Sequence, residues 1–202
     1  MIDANSILSA MTISERRLKH TLGVAEAAKE LAKTHFPALN LKQVELAALM
    51  HDFTKEYPHE KQLELCEHYR LQLTEDEKNN PKLLHSKTGA MIASERFGLP
   101  SETCSAIYWH TTGRAEMTPL EIVIYLADYI EEFREDADCI KLREFYKKAI
   151  SKELDKTTAL HKTLVRSFDT TIKHLIAKEQ TICNFTVEAR NYYIKRLNEI
   201  KF

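Results

Sequence analysis

Apolar residues recur along this chain at spacings of three and four, and no segment alternates with the two-residue period of a strand. The pattern predicts an all-α protein, a helical bundle. After a weak start over residues 1–11, Thr12-Ile13-Ser14-Glu15 has capping-box spacing and opens a helix to about His35. Its apolar face is Leu18, Leu22, Ala25, Ala28, Leu31 and Ala32, with His20 on the neighbouring stripe beside Val24, Ala27 and Leu31. A second helix runs from about Leu41 to His51, and its apolar run over 44–50 reads as mostly buried. Pro58 marks the first turn of a third, through about Tyr69. Thr74-Glu75-Asp76-Glu77 opens a short polar turn that ends by Pro81. The next helix covers 82–97 and stops at Gly98, and Pro100 announces one carrying Cys104, Ile107 and Trp109 to about His110. Thr118-Pro119-Leu120-Glu121 combines an N-cap, an N1 proline and a capping-box glutamate. The helix behind it, 122–134, is apolar until Asp128 interrupts it. Amphipathic helices with alternating charge follow over roughly 139–154, 158–180 and 185–201.

The polar interruptions of these apolar helices carry the chemistry. His51 and Asp52 leave a core helix side by side, and burying an imidazole and a carboxylate is costly unless something pairs with them. His20, His85, His110 and Asp128 are further inward-looking groups, each within or at the end of a helix. One shared metal site compensates them all. Neighbours on a helix point about 100° apart, so His51 and Asp52 suit an ion held between helices, or a carboxylate bridging two ions. Imidazole and carboxylate donors without thiolate fit iron, manganese, cobalt or zinc in a catalytic rather than a structural site. The donors are too many for one closed tetrahedral site, which points to a two-metal centre able to clamp the oxygens of a phosphoryl transfer.

Composition narrows the class. A chain of 202 residues, 44% of them hydrophobic, fills one domain with a helical extension, here a 1–138 metal-binding core and a 139–202 extension. That extension is expected to pack on the bundle or to support a homodimer. Four glycines and five prolines are too few for a turn-rich β-sandwich. A net charge of −1 gives no field that favours nucleic acid or a membrane surface as partner. Cys66, Cys104, Cys139 and Cys183 form no CxxC pair, and no apolar run is long enough to span a bilayer, so a reduced cytoplasmic setting is expected. His35, His59, His68, His161 and His174 lie in polar or terminal contexts and receive no role.

In order along the chain, His20, His51-Asp52 and Asp128 resemble the H…HD…D signature of the HD-domain metal-dependent phosphohydrolases. The similarity is closer to the YqeK-type branch, the symmetrical bis(5′-nucleosyl)-tetraphosphatases. It rests on Arg17-Leu18-Lys19-His20-Thr21-Leu22-Gly23-Val24 and on His51-Asp52-Phe53-Thr54-Lys55-Glu56. It continues through Leu84-His85-Ser86-Lys87-Thr88-Gly89-Ala90, Trp109-His110-Thr111-Thr112-Gly113-Arg114 and Leu126-Ala127-Asp128-Tyr129-Ile130-Glu131, and covers about residues 12–180.

The resemblance implies an iron-dependent hydrolase that splits diadenosine tetraphosphate into two ADP. It implies His20, His51, Asp52 and Asp128 as primary ligands, with His85 and His110 on a second metal or on the phosphate beside it. The polyphosphate needs cations besides the metals. Lys55, three residues past Asp52, and Arg114, four past His110, are expected to neutralise its charge during the reaction, while Asp52 bridges the metals and orients the nucleophile. Arg17, Thr111, Thr112 and the Gly113 backbone are further phosphate contacts, and Glu56 and Tyr57 complete the nucleotide-facing set; Tyr57, Tyr108 and Trp109 are candidate base-stacking rings. Two rivals remain: an HD-type hydrolase of a nucleoside monophosphate, a dNTP or a cyclic dinucleotide, and a nucleotide-binding sensor without turnover.

Overall fold

The computed structural model describes residues 2–78, 80–151 and 155–200, and every regular element among them is a helix. The bundle is laid around α8 (Pro119–Ile130), whose residues 122–127 are all buried. A helix apolar on every side must lie at the centre of its fold. Its start is the expected capping box: Thr118 Oγ1 accepts from the Glu121 amide, and the Glu121 carboxylate accepts from the Thr118 amide. Around it pack α2 (Glu15–His35), α3 (Leu41–Met50), α7 (Ser101–Trp109) and α9 (Ala137–Ser151), with α6 (Pro81–Glu95) beyond α7. The short α4 (His59–His68) and α5 (Glu75–Lys78) lie against α6. Beyond α9, α10 (Lys156–Ala177) pairs with α11 (Asn184–Ile200). Leu142, Leu160, Leu164, Phe168 and Tyr193 from these last helices join the same apolar core as Val24, Leu49 and Leu126.

Several boundaries differ from the sequence pattern, each for a local reason. The start of the chain holds a helix, α1 (Ala4–Ala10), capped by the Asp3 carboxylate and anchored by fully buried Ile7. In α2 the N-cap is Ser14 rather than Thr12. The Glu56 carboxylate accepts from both the amide and the hydroxyl of Ser14, at 2.7 and 2.8 Å, so a distant residue does the work of a capping-box glutamate. Leu18 and Leu22, expected on the core face, are 37% and 43% exposed. The first turns of α2 instead turn His20, Thr21 and Val24 inward. Pro58 is the N-cap of α4 rather than its first helical residue. Finally, α8 stops at Ile130 instead of running on to 134, because Glu131 leaves helical geometry with ψ 152° and turns its carboxylate into the protein.

His35, at the end of α2, is bonded to the Tyr146 hydroxyl at 2.9 Å, and burial with Lys156 nearby holds its pKa down at about 4. An unfolded chain takes up that proton near pH 6.5 and the native chain only below about 4, so stability falls on acidification through that window. Replacing His35 with Gln should flatten the pH dependence of unfolding between those values, and an unchanged slope in urea titrations would refute this.

Candidate metal centre

Five helix-derived segments deliver six charged or imidazole groups to a single point. His20 comes from the first turns of α2, His51 and Asp52 from the end of α3, His85 from α6, His110 from the end of α7 and Asp128 from α8. Neighbours on a straight helix diverge by about 100°, yet the His51 Nε2 and Asp52 Oδ2 atoms converge to 3.4 Å. The chain leaves α3 at this point in a series of tight turns, with the amides of Phe53, Lys55 and Tyr57 bonded three residues back. Thr54 fixes that turn to α6 by donating to the His85 carbonyl at 2.9 Å.

Asp52 organises the centre. It is 2% exposed, and its two oxygens face different groups. Oδ2 lies 3.4 Å from His51 Nε2, 3.6 Å from His20 Nε2 and 2.5 Å from the Arg17 guanidinium. Oδ1 lies 3.1 Å from His85 Nε2, 3.6 Å from His110 Nε2 and 3.6 Å from Lys55 Nζ. Asp128 Oδ1 closes the first group, 3.0 Å from His20 Nε2 and 3.8 Å from His51 Nε2, and Arg134 holds it at 2.5 Å. Three donor sets result, each with its ligand atoms within 4.8 Å of one another: His20-His51-Asp52, His51-His110-Asp128 and Asp52-His85-His110.

The histidine tautomers make this a cation site. His51 Nδ1 lies 2.6 Å from the Ala48 carbonyl and His110 Nδ1 2.7 Å from that of Ile107. A carbonyl only accepts, so each Nδ1 carries the proton and each Nε2 presents a lone pair. Those lone pairs point at other imidazoles: His51 Nε2 is 3.3 Å from that of His20, and His85 Nε2 is 3.0 Å from that of His110. Burial, and then Lys55, push His85 down to about 3, and burial also lowers His110, so both are neutral donors at ordinary pH. Burial opposes the charge on Asp52, but neighbouring positive charge, Lys55 included, outweighs it and keeps the carboxylate ionised. Asp128 is likewise held well below its ordinary value against burial, chiefly by Arg134 and His20. Asp52 Oδ1 has three nitrogens around it and no aligned hydrogen-bond donor. Neutral imidazole lone pairs and an unbonded carboxylate oxygen, all buried and convergent, are the donor set that a divalent metal takes.

Two cavities flank this point. One of about 330 Å³ is lined by Thr111, Thr112, Tyr129, Arg134, Leu142 and His174. The other, of about 520 Å³, is lined by Arg16, Arg17, Lys19, His20, Glu131 and Phe133. Arg134 and Asp136 line both. Thr111 Oγ1 lies 3.3 Å from the Nε2 atoms of His85 and His110, so the smaller cavity meets the Oδ1 side of Asp52 and the larger meets the Oδ2 side.

Of the other residues singled out in the sequence, Arg17 and Lys55 stand at the centre. Lys55 Nζ is 3.1 Å from His85 Nε2. Glu56 lines the larger cavity while capping α2. Thr111 and Thr112 line the smaller one. Arg114 is directed elsewhere: its guanidinium grips the buried Glu121 carboxylate at 2.9 and 3.1 Å, giving that carboxylate its counter-ion. Gly113, between His110 and Arg114, turns the chain with φ +63° and lies against Phe168, where a Cβ would sit 2.8 Å from the ring. Its backbone amide donates to the Trp109 carbonyl at 2.8 Å. Tyr57 lies under the Lys61 ammonium at 4.2 Å rather than in either cavity. Tyr108 and Trp109 pack on each other, with Phe185 on the indole.

Two residues that the sequence pattern did not single out, Glu131 and Arg134, are built into the centre, and a third, His174, lines the smaller cavity. Glu131, 1% exposed, accepts from His20 Nδ1 at 3.1 Å and from the Phe133 amide at 2.6 Å. Burial pulls the His20 pKa down, but its bonds to Asp128 and Glu131 raise it on balance. Arg134 pairs with Asp128, and His174 lines the smaller cavity. The three-residue step from Asp128 to Glu131 puts both on one helix face and was the available signal for Glu131. Arg134 and His174 had none, because the first lies beyond the end of α8 and the second comes from a distant helix.

An all-α bundle whose helices converge imidazoles and carboxylates on one buried point defines a metal-dependent hydrolase of the HD class. The HD domain family matches residues 17–132, and the chain belongs to it. It is 34% identical over 185 residues to the symmetrical bis(5′-nucleosyl)-tetraphosphatase of Bacillus subtilis (strain 168), covering 90% of this chain and 91% of that one. The enzyme of the same description from Staphylococcus aureus (strain NCTC 8325 / PS 47) is 32% identical over 188 residues, covering 92% and 91%. A crystal structure from Clostridium acetobutylicum, described as an HD superfamily hydrolase involved in NAD metabolism, superposes with TM-score 0.85 at 36% identity, over 97% of this chain and 99% of that one. The fold class and the metal-dependent hydrolase reading of the sequence hold. No helix among the described residues is long and apolar enough to cross a membrane.

Proposed function

We propose that this hydrolase cleaves diadenosine tetraphosphate at its central anhydride, giving two molecules of ADP. The observation that carries this is Asp52, whose two oxygens each face a separate pair of imidazoles, with a nucleotide-sized cavity opening beside each. A long polyphosphate laid across Asp52 puts its middle at the donor set and one nucleoside on each side. The relatives described as symmetrical tetraphosphatases support the same reading.

His20, His51, Asp52 and Asp128 would hold one metal, and Asp52 with His85 and His110 the second. We assign iron, and the same donors suit manganese, cobalt or zinc. Divalent ions there supply Lewis-acid charge, acidifying a water and neutralising phosphate oxygens. The chain's own part is positional and electrostatic. Asp52 would accept a hydrogen bond from the attacking water and aim it at a central phosphorus. Water oxygen forms the new P–O bond, the bridging P–O bond breaks, and the proton ends on the released phosphate or in solvent. Arg17, Lys55 and Arg134 ring the same point as cations for the non-bridging oxygens. Arg134 takes the place that the sequence suggested for Arg114. Thr111 is set to donate to the phosphates from the smaller cavity.

This reading divides the chain into the 1–138 core, which holds the donors, and the 139–202 extension, whose Leu142, Thr171, His174 and Thr186 wall the smaller cavity. A freely diffusing nucleotide substrate fits a cytoplasmic enzyme, where the four cysteines stay thiols. Incubating the metal-loaded protein with a nucleotide panel tests the proposal. ADP as the sole product from diadenosine tetraphosphate is expected; AMP plus ATP, or no turnover of that substrate, would overturn it.

A further inference from the structure

The two cavities are unlike each other, although the substrate under the reading above is symmetrical. The smaller is walled by Tyr129 of α8, Leu142 of α9, and Thr171 and His174 of α10. The larger lies over the start of α2, with Arg16, Arg17 and Lys19 on one side and the turn after α8 on the other. At its edge is Phe133, 46% exposed, a large aromatic ring at the end of an interrupted helix. The chain is arranged to keep that ring where it is. Its backbone amide is tied to Glu131, its edge lies where a Cβ on Gly23 would come within 2.8 Å, and the Lys19 ammonium sits 4.6 Å from its centroid. Packing of the bundle does not call for it, since Phe133 is no part of the apolar core.

We infer that the larger cavity seats the second nucleoside diphosphate half, with its base stacked on Phe133 and its phosphates beside Arg16 and Lys19. This rests on the function proposed above and adds to it where the second half sits and how loosely its base is read. Stacking on an aromatic face accepts any base, because every base has a π-face. The Phe133 cavity therefore takes its nucleoside with little regard to the identity of the base. Diadenosine and adenosine–guanosine tetraphosphates should be turned over at similar rates.

The test compares two ligands in the wild type, Phe133→Ala and Phe133→Tyr: diadenosine tetraphosphate as substrate and adenosine 5′-tetraphosphate, which lacks the second nucleoside, as competitor. In the wild type KM for the former is expected to lie well below the inhibition constant of the latter. Phe133→Ala should erase about ten-fold of that preference with kcat held within a few-fold, and Phe133→Tyr should keep it. An undiminished preference in Phe133→Ala, or an equal loss for both ligands, overturns the assignment. A wild type that releases no ADP would instead remove the proposed function itself, so the two failures are distinguishable.

Discussion

Asp52→Ala should lose both metal and turnover, the latter by roughly a thousandfold or more. The size of the effect follows from its position. Among the described residues, Asp52 alone is shared by the His20-His51 group and the His85-His110 group through different oxygens. Removing it does not trim one ligand from one ion; it disconnects the two halves of the site. It also strips the Arg17 guanidinium and the Lys55 ammonium of their common partner. Arg17 and Lys55 side chains are 24% and 29% exposed, so solvent recovers part of that loss and folding survives. The sharpest readout is thermal. A metal that binds only the native state stabilises it by about 2.7 kcal/mol at a hundred times its dissociation constant. Added metal should raise the midpoint of the wild type and leave that of Asp52→Ala where it is. A metal-loaded, fully active Asp52→Ala protein would sink the scheme.

Gly23→Ala should cut metal affinity or activity by about 10- to 100-fold, the usual range when the support of a ligating histidine is disturbed. Gly23 is buried in α2, three residues after His20. A Cβ there would lie 2.3 Å from Glu131 Oε2, which has to move. Moving it releases His20 Nδ1, whose bond to Glu131 sets the ring so that Nε2 faces Asp128 and Asp52. In a helix interior glycine is otherwise unfavourable by up to about 1 kcal/mol relative to alanine. The substitution should therefore cost little stability while damaging the site. The cycle with Glu131→Ala separates this route from general misfolding. If Gly23 acts through Glu131, the double variant is hardly worse than Glu131→Ala alone; additive losses would show that the glycine matters for another reason.

How much of this was legible beforehand depends on the kind of signal each part leaves. Helices announce themselves through apolar spacing and through caps, and Thr118-Pro119-Glu121 reads the same in sequence and in structure. The convergence of His20, His51, Asp52, His85, His110 and Asp128 was legible because burying such groups demands compensation, and a shared metal is an economical form of it. Less visible was everything set by a residue far away in the chain. Ser14 rather than Thr12 caps α2 because Glu56 reaches it from forty-two positions on. Arg114 looked like a phosphate ligand from its distance to His110, but Gly113 turns the backbone between them and buried Glu121 takes the guanidinium. Leu18 and Leu22 fit the apolar stripe of α2 yet stay exposed, since that end of the helix is turned to present His20. Arg134 belonged to a helix that stops early, so spacing along that helix placed it wrongly.

The central claim, that Asp52 joins two metal positions, is tested most directly by anomalous diffraction from crystals of the metal-loaded protein at the absorption edge of its metal. Two peaks are expected, one beside Oδ2 among His20, His51 and Asp128 and one beside Oδ1 between His85 and His110, about 3.5–4 Å apart as in two-metal hydrolases. A single peak, or a pair that Asp52 does not touch, would contradict it.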